Sequence, residues 1–291
     1  MIEIKIHSHS LGGNIILEDI SLNVPDSTVL GLVGTNGSGK STLLRLMSGV
    51  YIPDRGYVKY DGREVSLPEV RKDIFFLPDD PYYAGQTTGK GLLETYKTFY
   101  PSLDAELYSK LIDRLKLDEN AHQRNFSKGM RRQFYIALAL STRPKYLLLD
   151  EAFDGLDAFT KKAVIEEINR AVEENGTTVV ISSHALSELE TFCDLYALID
   201  GKTISGNGSL DEHTAKYCRF RMAFTDAPRE ELFSHLNVAD IEINGKFVTV
   251  TLEGDPEKLY DALLALDPAV IEQEKLTFED IFITDVKGGR K

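Results

Sequence analysis

A glycine-rich segment near the amino terminus constrains the fold more than any other feature. The segment is Gly34-Thr35-Asn36-Gly37-Ser38-Gly39-Lys40-Ser41, which fits the pattern G-x-x-x-x-G-K-[ST]. The apolar run Val29–Val33 precedes it and predicts a buried strand, and the segment Ser41–Met47 after it predicts a helix. This order of strand, loop and helix favours a phosphate-binding loop over a simple glycine turn with an exposed lysine. The chain therefore requires an α/β sheet with an anion site at the end of one strand.

The residue types in this loop explain the predicted chemistry. Glycines allow backbone N–H groups to point into a cradle, and the start of the helix adds positive potential. Lys40 supplies a full positive charge for the β- and γ-phosphates of a nucleotide. The Ser41 hydroxyl is a suitable ligand for magnesium.

A second motif supplies two carboxylates. The apolar run Tyr146–Leu149 predicts a buried strand, and Asp150 and Glu151 follow it directly. Such a run ending in Asp-Glu is common, so alone it leaves a structural and a catalytic interpretation open. Together with the phosphate loop it predicts that Asp150 holds magnesium, usually through water, and that Glu151 polarises an attacking water.

Composition and charge exclude several classes of protein. The chain has 291 residues, of which 42% are hydrophobic and 27% charged, so a folded chain of one large or two ordinary domains is expected. The net charge of −13 argues against broad contact with nucleic acid. No apolar run has the roughly 20 residues that span a bilayer, and the start of the chain alternates like a strand, so neither a membrane span nor a signal peptide is expected. Only two cysteines are present, which favours a reducing, cytosolic compartment.

The pattern along the chain predicts two domains. Strand and helix alternate over residues 1–210, which favours an α/β domain with a largely parallel sheet, and residues of about 80–145 form its helical part. The glycines of Gly206–Ser209 indicate a boundary, at which a short linker joins the two domains. Residues 211–291 predict a small α+β domain, in which Asn244-Gly245 forms a hairpin turn.

Three further segments distinguish the possible nucleotide-binding families. Phe126-Ser127-Lys128-Gly129-Met130 precedes a predicted helix, Gly155-Leu156-Asp157 follows Glu151 closely, and His184 follows a predicted strand. In this order and spacing the chain resembles the ATP-binding cassette family, the motor subunits of ABC transporters. The first segment matches the family signature in Ser127 and Gly129, the second matches the D-loop in Asp157, and His184 matches the switch histidine.

The resemblance implies a P-loop nucleotide-binding domain that hydrolyses ATP with magnesium. It implies that two subunits, identical or different, enclose two nucleotides head to tail, with the signature of one completing the site of the other. His184 would contact the γ-phosphate and hold Glu151 and water in line, and Asp157 would lie at the dimer seam. The expected catalytic residues are Glu151 and His184; the expected nucleotide-binding residues are Gly34, Thr35, Asn36, Gly37, Ser38, Gly39, Lys40, Ser41, Thr42, Ser127, Lys128, Gly129 and Asp157; and the expected magnesium residues are Ser41, Asp79 and Asp150.

Two departures from the family pattern lie near the predicted nucleotide. Leu11 occupies the position of the aromatic residue that stacks on adenine, and leucine offers dispersion without π-stacking. His7 or His9 is a possible substitute, although both are more readily explained as surface histidines. Asp79 stands where the family has the glutamine that senses magnesium, and its carboxylate adds charge near ATP.

Other departures lie in and around the signature. Lys128 replaces a glycine, and it either adds a phosphate contact or is simply solvated; Met130 replaces a glutamine. Arg131 and Arg132 are expected to be a solvated helix face or to support the signature. Ala152 replaces a proline, but Glu151 is present, so hydrolysis rather than binding alone is expected.

The resemblance also implies a separate membrane permease as partner, which would place the chain at the cytoplasmic face of the membrane. Aromatic residues at Asp80-Pro81-Tyr82-Tyr83 and at Tyr96, Phe99 and Tyr100 suit a docking groove for the permease, or else core packing and an ordinary loop. The segments Phe99–Asp104 and Leu276–Phe282 are similar to a bacterial subgroup that exports peptides, antimicrobials or envelope precursors. The alternative is an ABC-type nucleotide switch that regulates another protein; no nucleic-acid partner is expected.

Overall fold

The computed structural model describes residues 1–82, 84–184, 186–277 and 280. The chain divides into two compact units, Met1–Asn207 and Gly208–Lys291. From the amino terminus to the end of the tenth strand, the elements are β1 (Ile2–Leu11), β2 (Asn14–Val24), β3 (Val29–Val33), α1 (Lys40–Met47), β4 (Arg55–Tyr60), β5 (Arg63–Glu64), α2 (Pro68–Arg71), β6 (Ile74–Leu77), α3 (Gly89–Phe99), α4 (Ala105–Arg114), α5 (Lys128–Ser141), β7 (Tyr146–Asp150), α6 (Ala158–Asn175), β8 (Thr178–Ser182), α7 (Leu186–Leu189), β9 (Leu195–Asp200) and β10 (Thr203–Ser209).

The first unit is built on a six-stranded sheet in the order β10-β9-β3-β8-β7-β6. Strands β9, β3, β8, β7 and β6 pair in parallel. Every residue of β3, β7 and β8 is buried, as expected for parallel strands covered on both faces. The predicted α/β fold with a mostly parallel sheet is confirmed.

The register of this sheet brings the predicted motifs to one edge. Strand β8 lies between β3 and β7, and its last residue, Ser182, pairs with Leu32 on one side and with Asp150 on the other. The loop after β3, the acidic pair after β7 and His184 after β8 therefore leave the sheet next to one another. Ligands bind at this carboxyl edge in parallel α/β sheets.

A second, antiparallel sheet covers helix α1. Its strand order is β2-β1-β4-β5. Ile2, Ile4 and Ile6 alternate along β1 with outward-facing residues, and they share one core with Leu44 and Met47 of α1. Because α1 is anchored in this core, the loop in front of it has a fixed end.

Three helices follow β6, in the part of the chain where helices were predicted. Each begins at a residue whose side chain accepts a backbone hydrogen bond from the first turn: Thr88 for α3, Asp104 for α4 and Ser127 for α5. Helix α5 is buried over most of its length from Phe134 onwards. It carries the signature segment at its first turn.

Over residues 208–277, the second unit contains a four-stranded antiparallel sheet and two α-helices. The elements are α8 (Leu210–Ala215), β11 (Tyr217–Ala223), β12 (Val238–Asn244), β13 (Phe247–Glu253), α9 (Pro256–Leu264) and β14 (Val270–Glu274), and the strand order is β12-β13-β11-β14. Asn244 pairs with Phe247, so the hairpin predicted at Asn244-Gly245 is confirmed. The core contains Phe220, Val248 and Leu263.

The segment Gly206–Ser209, predicted as a boundary, contains the division between the two compact units and also lies in β10, at the edge of the six-stranded sheet. An edge strand needs hydrogen bonds on one side only, so glycine and polar residues are tolerated there. Among the residues that the structure describes, none of the helices is both long enough and apolar enough to cross a bilayer.

Candidate functional site

The glycine-rich loop wraps around the Lys40 side chain. The Lys40 ammonium is buried and donates to the carbonyl oxygens of Gly34, at 2.7 Å, and Thr35, at 3.3 Å. Gly39 has φ = 108°, and a Cβ there would lie 2.7 Å from Leu17 Cδ2. A Cβ at Gly34 would lie 2.6 Å from the Ile199 carbonyl oxygen. Glycine is therefore needed at both positions for the loop to close over the lysine.

Asp150 lies behind this loop, at the end of β7. Its carboxylate is only 1% exposed, and Oδ1 accepts hydrogen bonds from Ser41 Oγ (3.1 Å) and Ser182 Oγ (2.8 Å). Its Oδ2 is buried without a hydrogen-bond partner. A buried, unpaired carboxylate oxygen is costly unless it faces a cation or water. Together with the Ser41 hydroxyl, this oxygen suits a hard cation such as Mg²⁺, which is typically bound by one or two protein oxygens and substrate phosphates.

Glu151 lies between two nitrogen-bearing side chains. Its Oε1 lies 3.6 Å from Lys40 Nζ, and its Oε2 lies 2.9 Å from His184 Nδ1. Its backbone is in the left-handed region, with φ = 47°, which costs a non-glycine residue about 1–3 kcal/mol. The backbone N–H of Glu151 donates to Ser182 Oγ at 2.9 Å. Ser182 is thus bonded to the side chain of Asp150 and to the backbone of Glu151.

A network of charged side chains joins α5 to the same region. The guanidinium of Arg132 donates to the backbone carbonyls of Glu151 and Asp79 and, at 2.6 Å, to Asp79 Oδ1. Lys128 Nζ donates to Asp154 Oδ2 at 3.0 Å and lies 3.8 Å from Asp79 Oδ1. The Lys128 ammonium lowers the pKa of the Asp154 carboxyl.

The structure decides between the two interpretations of Arg132 but leaves those of Lys128 open. Arg132 is not on a solvated face, because its side chain is 3% exposed. From Phe134 onwards helix α5 is apolar on all sides and buried, so Arg132 just before this stretch is also buried in the protein. The Lys128 side chain is 57% exposed, and its ammonium also lies within ion-pair distance of Asp79 and Asp154.

One open cleft of about 530 Å³ lies between the glycine-rich loop, Glu151 and His184. Its volume and polar walls suit a phosphate-bearing ligand of nucleotide size. The predicted residues on its walls are Asn36, Gly37, Gly39, Lys40, Ser41, Thr42, Asp79, Glu151 and His184.

The predicted residues that are not among those lining this cleft are Gly34, Thr35, Ser38, Ser127, Lys128, Gly129, Asp150 and Asp157. Ser127 caps α5, and its Oγ accepts from the Met130 N–H at 3.1 Å. Asp157 caps α6, where bonds from the Thr160 N–H and hydroxyl lower the pKa of its carboxyl. A Cβ on Gly129 would lie 2.7 Å from the Gly155 carbonyl oxygen, so the start of α5 and the D-loop approach closely.

Several residues in or next to the cleft were not predicted from the sequence. Ile16 of β2 and Asp154 line it, whereas Leu11, the residue aligned with the adenine-stacking position, is not among the residues lining it. Ser182 bonds the Asp150 carboxylate and the Glu151 backbone N–H, and its place at the end of a buried strand was the available signal. His9 is buried and packs 5.7 Å from the Tyr51 ring, so its interpretation as a surface histidine was wrong.

Aromatic residues of the predicted docking groove have two different environments. The side chains of Tyr82 and Phe99 are 91% and 70% exposed. Tyr96 and Tyr100 instead stack on one another at 5.9 Å and pack against Phe75. Tyr83 lies outside the described residues, as do Phe278, Glu279, Ile281 and Phe282 of the carboxyl-terminal segment.

The chain is similar in sequence and in structure to known proteins. Residues 17–154 match the family model described as ABC transporter. The chain is 31% identical, over 293 residues and 100% of both chains, to the ABC transporter ATP-binding protein YtrB of Bacillus subtilis (strain 168). It is 31% identical over 227 residues to the lantibiotic transport ATP-binding protein SrtF of Streptococcus pyogenes, covering 73% of this chain and 95% of that protein.

A solved structure described as the ATP-binding subunit of an ABC transporter superimposes with a TM-score of 0.68. The two chains are 26% identical, and the match covers 74% of this chain and 92% of the other.

Proposed function

The chain belongs to the ABC transporter family as an ATP-binding ATPase subunit, and on that premise we propose that its ATP hydrolysis drives export of a peptide, antimicrobial or envelope-related substrate through a separate membrane permease. The position of Glu151 is the observation that supports ATP hydrolysis. Its carboxylate contacts His184 and lies beside Lys40, at the mouth of the loop that would hold the phosphates. The transport part rests on the family and on exposed aromatic residues.

The described residues suit hydrolysis without a covalent intermediate. Lys40 and the N–H groups of the loop offset negative charge on the transferring phosphoryl group. Glu151 orients a water molecule and accepts its proton, and His184 fixes the carboxylate through Oε2. Bound at Ser41 and Asp150, Mg²⁺ would supply charge neutralisation for the phosphate oxygens.

Asp79 is our third proposed magnesium residue, although its surroundings differ from those of Asp150. Oδ1 of Asp79 is engaged by Arg132, which leaves Oδ2 as the oxygen for a metal or its water. The structure describes no cluster of three or more His, Cys, Asp or Glu side chains arranged to hold a metal, within residues 1–82, 84–184, 186–277 and 280. Magnesium held largely by phosphate oxygens needs no such cluster.

We propose that a second ATPase subunit completes the site. Ser127, Gly129 and Asp157 lie on the same chain as the cleft but are not among the residues lining it. The Ser127 end of α5 offers backbone N–H groups and a hydroxyl to an anion. In a head-to-tail dimer these groups would meet the γ-phosphate held by Lys40 of the partner. The Lys128 ammonium would then bind a phosphate group instead of the Asp154 carboxylate.

We propose that Tyr82 and Phe99 contact the permease. Large aromatic side chains exposed to this extent are typical of interaction surfaces. Their location would bring the ATPase to the cytoplasmic face of the membrane through the permease. The segment Phe99–Asp104 is similar to a subgroup of exporters, and we take the proposed substrate class, peptides, antimicrobials or envelope precursors, from that subgroup.

Co-purification and vesicle transport test this proposal. We would express the chain with the multi-span membrane protein encoded next to it and isolate the membrane fraction. Recovery of both proteins, with loss of the ATPase from membranes in a Tyr82→Ala/Phe99→Ala variant, supports the permease assignment. Recovery in the soluble fraction with a regulatory protein instead would support a nucleotide switch.

The direction of transport is tested in inside-out membrane vesicles. Added ATP should drive uptake of a labelled antimicrobial peptide into these vesicles, which corresponds to export from the cell. The matched control is Glu151→Gln, which keeps the cleft but removes the base. ATP-driven release of substrate from preloaded inside-out vesicles would identify an importer and contradict the export proposal.

A further inference from the structure

We infer that Arg132 is a positioning residue for ATP hydrolysis, which fixes the backbone of Glu151 and the side chain of Asp79 from helix α5. The inference rests on the proposed catalytic role of Glu151. Arg132 is not among the residues lining the cleft. Its effect would pass through the two acidic residues that do line the cleft.

The guanidinium of Arg132 bonds two chain segments at once. One terminal nitrogen donates to the Glu151 carbonyl oxygen, and the other donates to the Asp79 carbonyl oxygen and to Asp79 Oδ1. The planar guanidinium presents its N–H groups in a rigid fork, so the spacing between these two segments is set by one side chain. Three elements, α5 and the segments after β6 and β7, thereby move together.

Because the backbone of Glu151 is strained, its conformation depends on hydrogen bonds such as the one from Arg132. With φ = 47°, Glu151 holds its conformation only where the surroundings determine it strongly. Ser182 Oγ binds its N–H, while Arg132 and the Asp154 N–H bind its carbonyl oxygen. The direction of the Glu151 side chain follows from this backbone conformation. Release of the carbonyl would therefore displace the carboxylate from Lys40 and His184.

Burial and charge make the contact specific. The Arg132 side chain is almost fully buried, and the Asp79 carboxylate within 2.6 Å compensates its charge. Lys128 lies near the same oxygen of Asp79 but is exposed, so it does not replace the buried fork. The proposed magnesium-side residue Asp79 and the proposed base Glu151 are consequently coupled through Arg132.

The test compares Arg132→Met and Arg132→Lys with the wild-type full-length chain. Met keeps much of the packing, and Lys keeps the charge but cannot bond both segments. We expect kcat for ATP hydrolysis to fall about 10-fold or more in both variants, while the Kd for ATP from calorimetry changes less than about 3-fold. A general folding defect would instead lower ATP binding and the melting temperature together.

A double-mutant cycle separates positioning from independent structural effects. If Arg132 acts through Glu151, Arg132→Lys should cause no further loss of single-turnover rate in a Glu151→Gln background. The matched control is Arg114→Met, which removes another inter-helix arginine, bonded to Glu167 at 2.7 Å and remote from the cleft. This control should leave kcat unchanged.

The outcomes distinguish this inference from the function on which it rests. Wild-type kcat in both Arg132 variants, or an additive loss in the Glu151→Gln background, would overturn the inference alone. If Arg132→Met does not fold, Arg132→Lys carries the same comparison. A well-folded wild-type chain that binds ATP but never hydrolyses it would contradict the proposed function itself.

Discussion

Replacement of Ser182 by alanine tests whether one hydroxyl orders both acidic residues of the site, through the side chain of Asp150 and the backbone of Glu151. Ser182 is fully buried at the end of β8. Its Oγ donates to Asp150 Oδ1 at 2.8 Å and accepts from the Glu151 N–H at 2.9 Å. The variant removes only this oxygen, so the packing of the strand should remain.

The expected loss follows from these two hydrogen bonds. A bond to a charged group contributes about 1.5–3 kcal/mol, and the unpaired Glu151 N–H adds about 1 kcal/mol. The free energy of unfolding should therefore fall by about 2.5–4 kcal/mol. For a unit the size of Met1–Asn207, this loss lowers the melting temperature by about 5–16 °C. Because Asp150 and Glu151 both lose a constraint, kcat for ATP hydrolysis should fall about 10- to 100-fold.

The matched control for this variant is Ser141→Ala. Ser141 is also fully buried, but its Oγ donates only to the neutral Ala137 carbonyl oxygen, at 2.6 Å, within helix α5. Its loss should lower the stability by about 1 kcal/mol and leave kcat unchanged. Differential scanning fluorimetry and a phosphate-release assay measure both quantities. Equal, small effects of the two substitutions on Tm and kcat would show that the Ser182 bonds do not order the site.

Three further outcomes are expected. Glu151→Gln should lower kcat about 100-fold or more while calorimetry still detects ATP binding, and an unchanged kcat would remove Glu151 from the role of base. Asp150→Asn should weaken ATP binding about 10-fold in the presence of Mg²⁺ and much less in EDTA. The same loss of ATP affinity with Mg²⁺ and with EDTA would contradict the assignment of Asp150 to magnesium. Lys128→Ala should return the pKa of the Asp154 carboxyl towards its ordinary value, as carbon NMR of the carboxyl group would detect. The ionised Asp154 carboxylate stabilises the fold above its unfolded-state pKa, and this stabilisation is lost as the pH falls through its lowered folded-state pKa. In Lys128→Ala this stabilisation should decrease.

The parts of the fold that follow from local pattern were predictable. The buried strand Val29–Val33, the helix from Lys40 and the hairpin at Asn244 each depend on nearby residues alone. The convergence of the loop with Asp150 also follows, because parallel strands present their carboxyl ends at one edge. The edge strand that contains Gly206 was missed, since its structure comes from pairing with β9 rather than from its own residues.

The network around Arg132 could not be predicted in the same way. Arg131 and Arg132 have the same chemistry and are adjacent, yet only Arg132 is fully buried. The available signal was the apolar stretch from Phe134 to Leu140, which has no polar side and therefore indicates a helix enclosed by the protein. An arginine that enters such a helix must meet an acceptor, because burial without a partner would cost several kcal/mol. The pattern thus predicts that a partner exists, whereas its identity as Asp79 and the Glu151 carbonyl depends on how the chain brings β6 and β7 next to α5.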